Sequence, residues 1–338
     1  MKVGLLSFAH THALSYATLL RDMGDIELLT TDPDADGQPA RPGHPRGREL
    51  ADQLGVAYAD SYEDLFAWRP DAVIVAAENT RHRALVEMAA LHGADVLCEK
   101  PLATTLADAQ AMIEVCRGAG VRLAVAHPVR FSPSYAAARA AVREGRLGKV
   151  LAVRGANYGR LDDTPRPWFS DPALAGGGAL MDHTVHIADL LDDLLDGARA
   201  TDVYAQTNRL LDPNAATETA GVVTVSYDNG THATIDCSWS QPRTHPRWGD
   251  VEIQIVGEKA TVELTAFGQL VSGYDEKNQR PSVHPWGTDL DLSLLRTFLH
   301  GPAADGIDLP DGQAGMRTLK IVLAGYESAR TSDLTRIL

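Results

Sequence analysis

Asp182 and His186 stand four residues apart in the run Gly176-Gly177-Gly178-Ala179-Leu180-Met181-Asp182-His183-Thr184-Val185-His186. On a helix that spacing puts both side chains on one face, one turn apart. A carboxylate beside an imidazole can orient the ring and raise its basicity, which makes His186 a candidate for proton exchange near neutral pH. His183 borders the same stretch. The plain alternative is a helix whose polar residues only cap and solvate it, reached through three glycines acting as a flexible approach. Lys100 is a second candidate, between Cys98-Glu99 and Pro101-Leu102. A rigid strand end would hold its ammonium, and the proline stops the strand. His10 and His12 form a third, since imidazoles two apart in an extended loop can converge on a metal.

These residues need elements to hold them. Val3 to Phe8, Ile26 to Thr31, Ala72 to Ala77, Asp95 to Cys98 and Val121 to Ala126 read as strands. Ala13 to Met23, Tyr62 to Trp68, Thr80 to Leu91 and Thr105 to Ala119 read as helices between them. That alternation predicts right-handed βαβ units and a mostly parallel sheet. Ligands of such sheets sit beyond the carboxyl ends of the strands, so Phe8 to His12, Asp32, Glu78 to His82, Glu99 to Pro101 and His127 should share one rim. A G-x-G-x-x-G frame falls on Ser7, Ala9 and His12, and Asp32 lies twenty residues after His12. That is the distance at which an acid binds a ribose hydroxyl. Pro33 to Arg48, with four prolines and three glycines, reads as a surface loop; following Asp32 it could flank an adenosine site, although a variable insertion without chemistry is the plainer reading.

From about Val150 the pattern changes. Val150 to Tyr158, Thr201 to Leu210, Ala220 to Tyr227, Thr231 to Trp239, Val251 to Val256 and Ala260 to Thr265 read as strands, with Asp228-Asn229-Gly230 as a tight hairpin turn. They predict an antiparallel sheet with one face to bury. Trp168, Trp239, Trp248 and Trp286 could wall a sugar, although burial is the commoner role of such residues. Gln279 to Gly287 reads as a loop, and Leu290 to Leu299 and Gln313 to Ala329 as closing helices. At 338 residues two domains are expected, 1–128 and 129–338.

The net charge of −14 argues against nucleic acid and against anionic membrane surfaces. Three scattered cysteines, Cys98, Cys116 and Cys237, give no disulfide framework and suit a reducing compartment. The first residues read as a buried strand, not a signal peptide, and no apolar run is long enough to span a bilayer. A cytoplasmic location is expected.

Cys98-Glu99-Lys100-Pro101-Leu102, Asn79-Thr80-Arg81-His82 and the glycine run leading to Asp182-x-x-x-His186 together resemble the Gfo/Idh/MocA oxidoreductase family. Its glucose-fructose oxidoreductase and inositol dehydrogenase members carry Glu-Lys-Pro after the fourth strand and Asn-x-x-His after the third. Arg130-Phe131, Trp168-Phe169 and Glu327-Ser328-Ala329 fall at similar positions, and the match runs in order along essentially the whole chain. The resemblance implies an α/β protein: a Rossmann-like parallel sheet, then an α+β domain with an open, mostly antiparallel sheet. It implies NAD(P)-dependent hydride transfer to or from a sugar, cyclitol or related polyhydroxylated substrate. Lys100 would contact the nicotinamide ribose and the substrate oxygen, His186 would exchange the proton, and Asp182 would orient it or bind a substrate hydroxyl. Ser7, Ala9, His10, His12, Asp32, Asn79, His82, Glu99 and Lys100 would face the cofactor; His127, Arg130, Trp168 and His183 would face the substrate. Asp32 favours NAD, with NADP left open by nearby arginines. A homodimer or homotetramer is expected. The chain departs from the pattern at Ser7, Ala9 and His12, which replace a glycine-rich turn, at Glu78, which replaces a proline, and at His183, which replaces an apolar residue. These histidines leave a second reading open, a metal-dependent hydrolase or lyase using His10, His12, His183 and His186. A third is a non-catalytic sensor of a nucleotide or sugar.

Overall fold

A computed structural model describes residues 1–37, 44–161, 166–242, 244, 245, 247, 249–275, 277, 279–302 and 306–337. The chain divides into two compact units. One comprises Met1–His127, Asp162–Gly176 and Asp291–Leu319, the other Pro128–Leu161, Gly177–Leu290 and Lys320–Leu338. The break after His127 falls beside the expected boundary. Two later segments return to the first unit, so the units are not two consecutive halves of the chain.

In the first unit, β1 (Lys2–Leu6), β2 (Glu27–Thr31), β3 (Ala57–Tyr58), β4 (Ala72–Val75), β5 (Asp95–Glu99) and β6 (Leu123–Ala126) form one parallel sheet. Its order is β3-β2-β1-β4-β5-β6. Between the strands run α1 (His12–Asp22), α2 (Gly47–Leu54), α3 (Tyr62–Ala67), α4 (His82–Leu91) and α5 (Leu106–Ala119). Val3, Leu5, Val73, Ile74, Val75, Val96 and Leu97 are buried completely, as expected of strands covered on both faces. β3 is only two residues long and was not foreseen. It moves Asn79 to the end of the fourth strand and Glu99-Lys100-Pro101 to the end of the fifth. The proline-rich stretch is also more structured than its composition suggests. Pro33–Gly37 is a 3-10 turn and α2 starts at Gly47; residues 38–43 lie outside the described residues.

In the second unit, α6 (Pro133–Arg143) precedes β7 (Val150–Tyr158), and α8 (Ala179–Leu194) precedes β8 (Ala200–Asn208), β9 (Ala220–Tyr227), β10 (His232–Ser238), β11 (Asp250–Gly257) and β12 (Thr261–Thr265). α7 is the short Pro172–Ala175 helix of the first unit. With β15 (Thr335–Arg336) the strands form a seven-stranded sheet ordered β12-β11-β7-β10-β9-β8-β15. It is mostly antiparallel, with β7 and β10 parallel. α8 lies against it. A methyl group on Gly155 of β7 would come 2.4 Å from Ile187, so the glycine lets the helix approach. The segment expected as a loop at 279–287 is largely a strand, β14 (Arg280–Pro285), paired with β13 (Leu270–Asp275). Two helices follow, α9 (Leu290–His300) and α10 (Gly312–Thr331). Among the described residues no helix is long and apolar enough to cross a membrane, and the three cysteines are free and buried.

Candidate active site

The β1–α1 turn starts at Ser7, whose φ of 73° lies in the left-handed region that glycine adopts at little cost. The serine hydroxyl compensates. Oγ accepts the Ala9 N–H at 3.1 Å and donates to Asp32 Oδ1 at 2.9 Å. The hydroxyl thus holds a turn whose first residue has the left-handed conformation that a glycine would take. Ala9 is small and buried, and its carbonyl accepts the Trp168 indole N–H at 3.1 Å. Trp168, expected at the substrate, thus serves at least to hold the turn. The Thr11 side chain makes no cap hydrogen bond at the start of α1. Asp32 follows β2 and is 1% exposed. A left-handed first residue, a small third one and a buried acid after the second strand fit a dinucleotide.

His10, His12 and Glu99 converge beside this turn. His12 Nδ1 lies 2.9 Å and His10 Nδ1 3.7 Å from Glu99 Oε1, and the Tyr16 hydroxyl donates to the same oxygen at 2.7 Å. Burial pushes His10 well below its usual range, Glu99 opposing only in part. Burial also acts to lower His12, but the Glu99 carboxylate and its hydrogen bond outweigh that and raise it. Burial would raise Glu99; His10, His12 and Lys100 reverse this and hold it well below the ordinary carboxylate range. The three donor atoms lie within 4.8 Å of one another, a spacing that one divalent ion could bridge. Lys100 is among the charges acting on all three, and a dication would meet the same repulsion. This trio replaces His183 and His186, which belong to the second unit, with Glu99.

Lys100 is 5% exposed at the end of β5. Its backbone N–H donates to Glu99 Oε2 at 3.1 Å, and Nζ lies 5.9 Å from the centre of the Phe169 ring. Two residues expected at the cofactor are engaged by backbone carbonyls, and the first of them supports this loop. His82 is fully buried, with Nδ1 3.0 Å from the Pro101 carbonyl and Nε2 3.2 Å from that of Ala77. Asn79 Nδ2 donates to the Ala175 carbonyl at 2.8 Å. His127, at the end of the unit's sheet, is 2% exposed.

In the second unit α8 carries Asp182, His183 and His186. Asp182 and His183 are buried and His186 half-buried. Asp182 Oδ2 accepts the Trp239 indole N–H at 2.9 Å and lies 3.0 Å from His183 Nε2. His183 Nδ1 faces the Asn157 carbonyl at 2.9 Å. Trp239 is thus an anchor for the acid and not an open wall; Trp286 is exposed, and Trp248 lies outside the described residues. Arg130, also expected at the substrate, forms a buried two-pronged ion pair with Asp189 through Nε and Nη2, at 2.7 and 2.8 Å.

The glycine run is not a flexible approach. A methyl group on Gly177 would fall 1.9 Å from the Tyr326 hydroxyl, and one on Gly178 2.2 Å from the Glu218 carbonyl. Glu218 Oε1 accepts the N–H groups of Gly178 and Leu180, both at 3.0 Å, and the Tyr326 hydroxyl at 2.7 Å. A carboxylate at the start of α8 satisfies its first donors and opposes the helix dipole. Glu218 and Tyr326 were missed by sequence reasoning. Only the neighbouring Glu327 motif pointed towards this part of the chain.

Residues 40–127 match the family profile described as "Oxidoreductase family, NAD-binding Rossmann fold", and residues 135–263 match "GFO/IDH/MocA C-terminal domain". The chain is 28% identical to a D-apiose dehydrogenase of Paraburkholderia graminis, over 97% of this chain and 86% of that protein. It is 31% identical to a D-xylose 1-dehydrogenase (NADP(+)) of Haloferax volcanii, over 85% of this chain and 87% of that one. Among solved structures it is similar to GenD2 from gentamicin A biosynthesis in complex with NAD. The TM-score is 0.83 at 21% identity, over 100% of this chain and 96% of that one, a likeness of fold.

Proposed function

Because the chain belongs to the GFO/IDH/MocA family of oxidoreductases, we propose that it moves a hydride between a nicotinamide dinucleotide and a carbon of a sugar, cyclitol or related polyhydroxylated molecule. The bound nicotinamide supplies the hydride chemistry. The protein's residues supply the rest. Lys100 polarises the substrate oxygen, lowering a hydroxyl's pKa in oxidation or stabilising a carbonyl's growing charge in reduction. His186 exchanges the proton of that oxygen, and Asp182 orients it or binds a neighbouring hydroxyl. His82 and Glu99 hold the loop from which Lys100 projects, and Asn79 ties the end of β4 to the Ala175 carbonyl. Arg130 braces α8 through Asp189, outside the substrate contacts.

One observation carries this reading. Lys100 is buried at the carboxyl end of β5, on the rim where sheets of this strand order hold dinucleotides. Asp32 stands where an acid meets the ribose hydroxyls of NAD once one of its own donors gives way, and a relative named for NADP(+) keeps the phosphorylated form in view. The hydrolase or lyase reading is set aside, since the relatives are named as dehydrogenases and reductases. Self-association as a dimer or tetramer would cover Tyr204 and Val222, exposed on β8 and β9; sedimentation velocity tests it. The deciding experiment is a fluorescence titration with NADH and NADPH, followed by NAD(P)+ reduction with a panel of aldoses and inositols. Saturable binding and turnover of at least one polyol are expected. Binding of neither dinucleotide at millimolar concentration removes the reading.

A further inference from the structure

Arg46, inside the stretch that composition marks as a loop, turns in to the carboxyl edge of β2. Its Nη2 donates to Asp32 Oδ1 at 2.9 Å and its Nε to Asp32 Oδ2 at 3.0 Å, a two-pronged fork. The Ser7 hydroxyl adds a bond to Oδ1 at 2.9 Å and the Gly47 N–H one to Oδ2 at 3.3 Å. A carboxylate offers about four acceptor positions, and all are taken. Asp32 therefore cannot accept a ribose hydroxyl until a donor leaves. Arg46 also reaches Glu78 Oε1 at 3.2 Å through Nη1, and Ser7 Oγ at 3.3 Å through Nη2. Glu78 and Ser7 are two of the positions where this chain departs from its family. Both departures meet at one guanidinium.

We propose that Arg46 is the selector at the adenosine ribose, masking Asp32 and Glu78 so that a 2′-phosphate is admitted beside a 2′-hydroxyl. This rests on the dinucleotide reading above. A guanidinium fork that fits a carboxylate also fits a phosphate, and can turn from one to the other. An acid at this position binds the ribose diol, and an arginine nearby accommodates the phosphate. Among the described residues the edge carries Asp32, Asp34 and Glu78 against Arg46 and Arg81, with Arg81 paired to Asp34. Without Arg46, two buried carboxylates would face an incoming dianion, and the phosphorylated cofactor would be rejected. The unphosphorylated one would find Asp32 released.

The test measures dissociation constants of NADH and NADPH for the full protein, Arg46→Gln and Asp32→Asn. Arg46→Gln should raise the NADPH-to-NADH ratio of dissociation constants by about 10-fold or more, and Asp32→Asn should lower it by a similar factor, the size of effect that a single charge at the ribose carries. Opposite shifts in the ratio cannot come from loss of folding, which would weaken both ligands alike. A ratio that stays within about threefold of the parent in either variant while NADH still binds overturns the role of Arg46 and leaves the dehydrogenase reading intact. Binding of neither dinucleotide to the unmodified protein removes both.

Discussion

The Trp239 indole donates to Asp182 Oδ2 at 2.9 Å, joining the residue after β10 to the first turn of α8. Both side chains are buried. A buried acceptor that loses its donor costs about 1–3 kcal/mol. Trp239→Phe keeps most of the ring's volume and removes only the N–H. We expect kcat to fall about 10-fold as Asp182 loses its orientation, which is the rate equivalent of about 1.4 kcal/mol. NADH affinity should stay unchanged. Steady-state kinetics beside an NADH titration check this; unchanged kcat would show that Asp182 needs no indole.

Lys100→Met replaces the ammonium with a side chain of similar length and leaves the backbone bond to Glu99 in place. Loss of a group that stabilises developing charge costs about 100- to 1000-fold in kcat. On the proposed reading most dinucleotide contacts lie at the β1–α1 turn, so NADH binding should survive within a small factor. A variant that binds NADH but retains more than about a tenth of parental kcat would move the polarising role elsewhere.

The elements that position these groups were legible where apolar runs were long. The longer parallel strands, the helix carrying Asp182 and the acid after β2 follow from periodicity and strand-end logic. What remained hidden depends on tertiary contact. Trp239, which donates to Asp182, and Tyr326, which fills the space beside Gly177, lie 57 and 149 residues further along (239 − 182; 326 − 177), with no local pattern linking them. Arg46 was hidden by its company, since prolines and glycines mark a loop whether or not one of its arginines turns inward. The two-residue β3 carries too few positions for periodicity to act. The glycine run was visible but its reason was not: composition suggests flexibility, whereas Tyr326 and Glu218 occupy the space.

That difference is testable at two glycines. Gly178→Ala drives a methyl group against the Glu218 backbone carbonyl, which cannot swing aside. A stability loss of about 3 kcal/mol or more is expected, the upper range for overpacking. Gly118, in α5, has open space for 4 Å around the point a methyl group would occupy, and no left-handed φ. Gly118→Ala should therefore gain about 0.5–1 kcal/mol from the reduced freedom of the unfolded chain. Urea unfolding of both variants measures the contrast; a mild effect at Gly178 would mean that the start of α8 can shift.

The His12–Glu99 pair gives stability a pH signature of definite sign. His12 has a folded pKa above the ordinary 6.5, because Glu99 overcomes the effect of burial. A group whose pKa rises on folding binds its proton more tightly in the folded state. Its contribution is therefore complete below about 6.5, the unfolded value, and disappears as pH rises through the folded value. His10 has the opposite shift: burial keeps it neutral, so its contribution is present above 6.5 and lost as pH falls. Comparing the parent with His12→Gln leaves His10 in both proteins, so the difference reports chiefly on His12. The parent's advantage in urea unfolding should be largest near pH 6 and shrink steadily towards pH 9. Histidine NMR should show His12 titrating above 6.5 and His10 below it. An advantage that grows with pH would mean that His12 pairs with Glu99 as a neutral ring, and that the carboxylate is held by Tyr16 and the backbone instead.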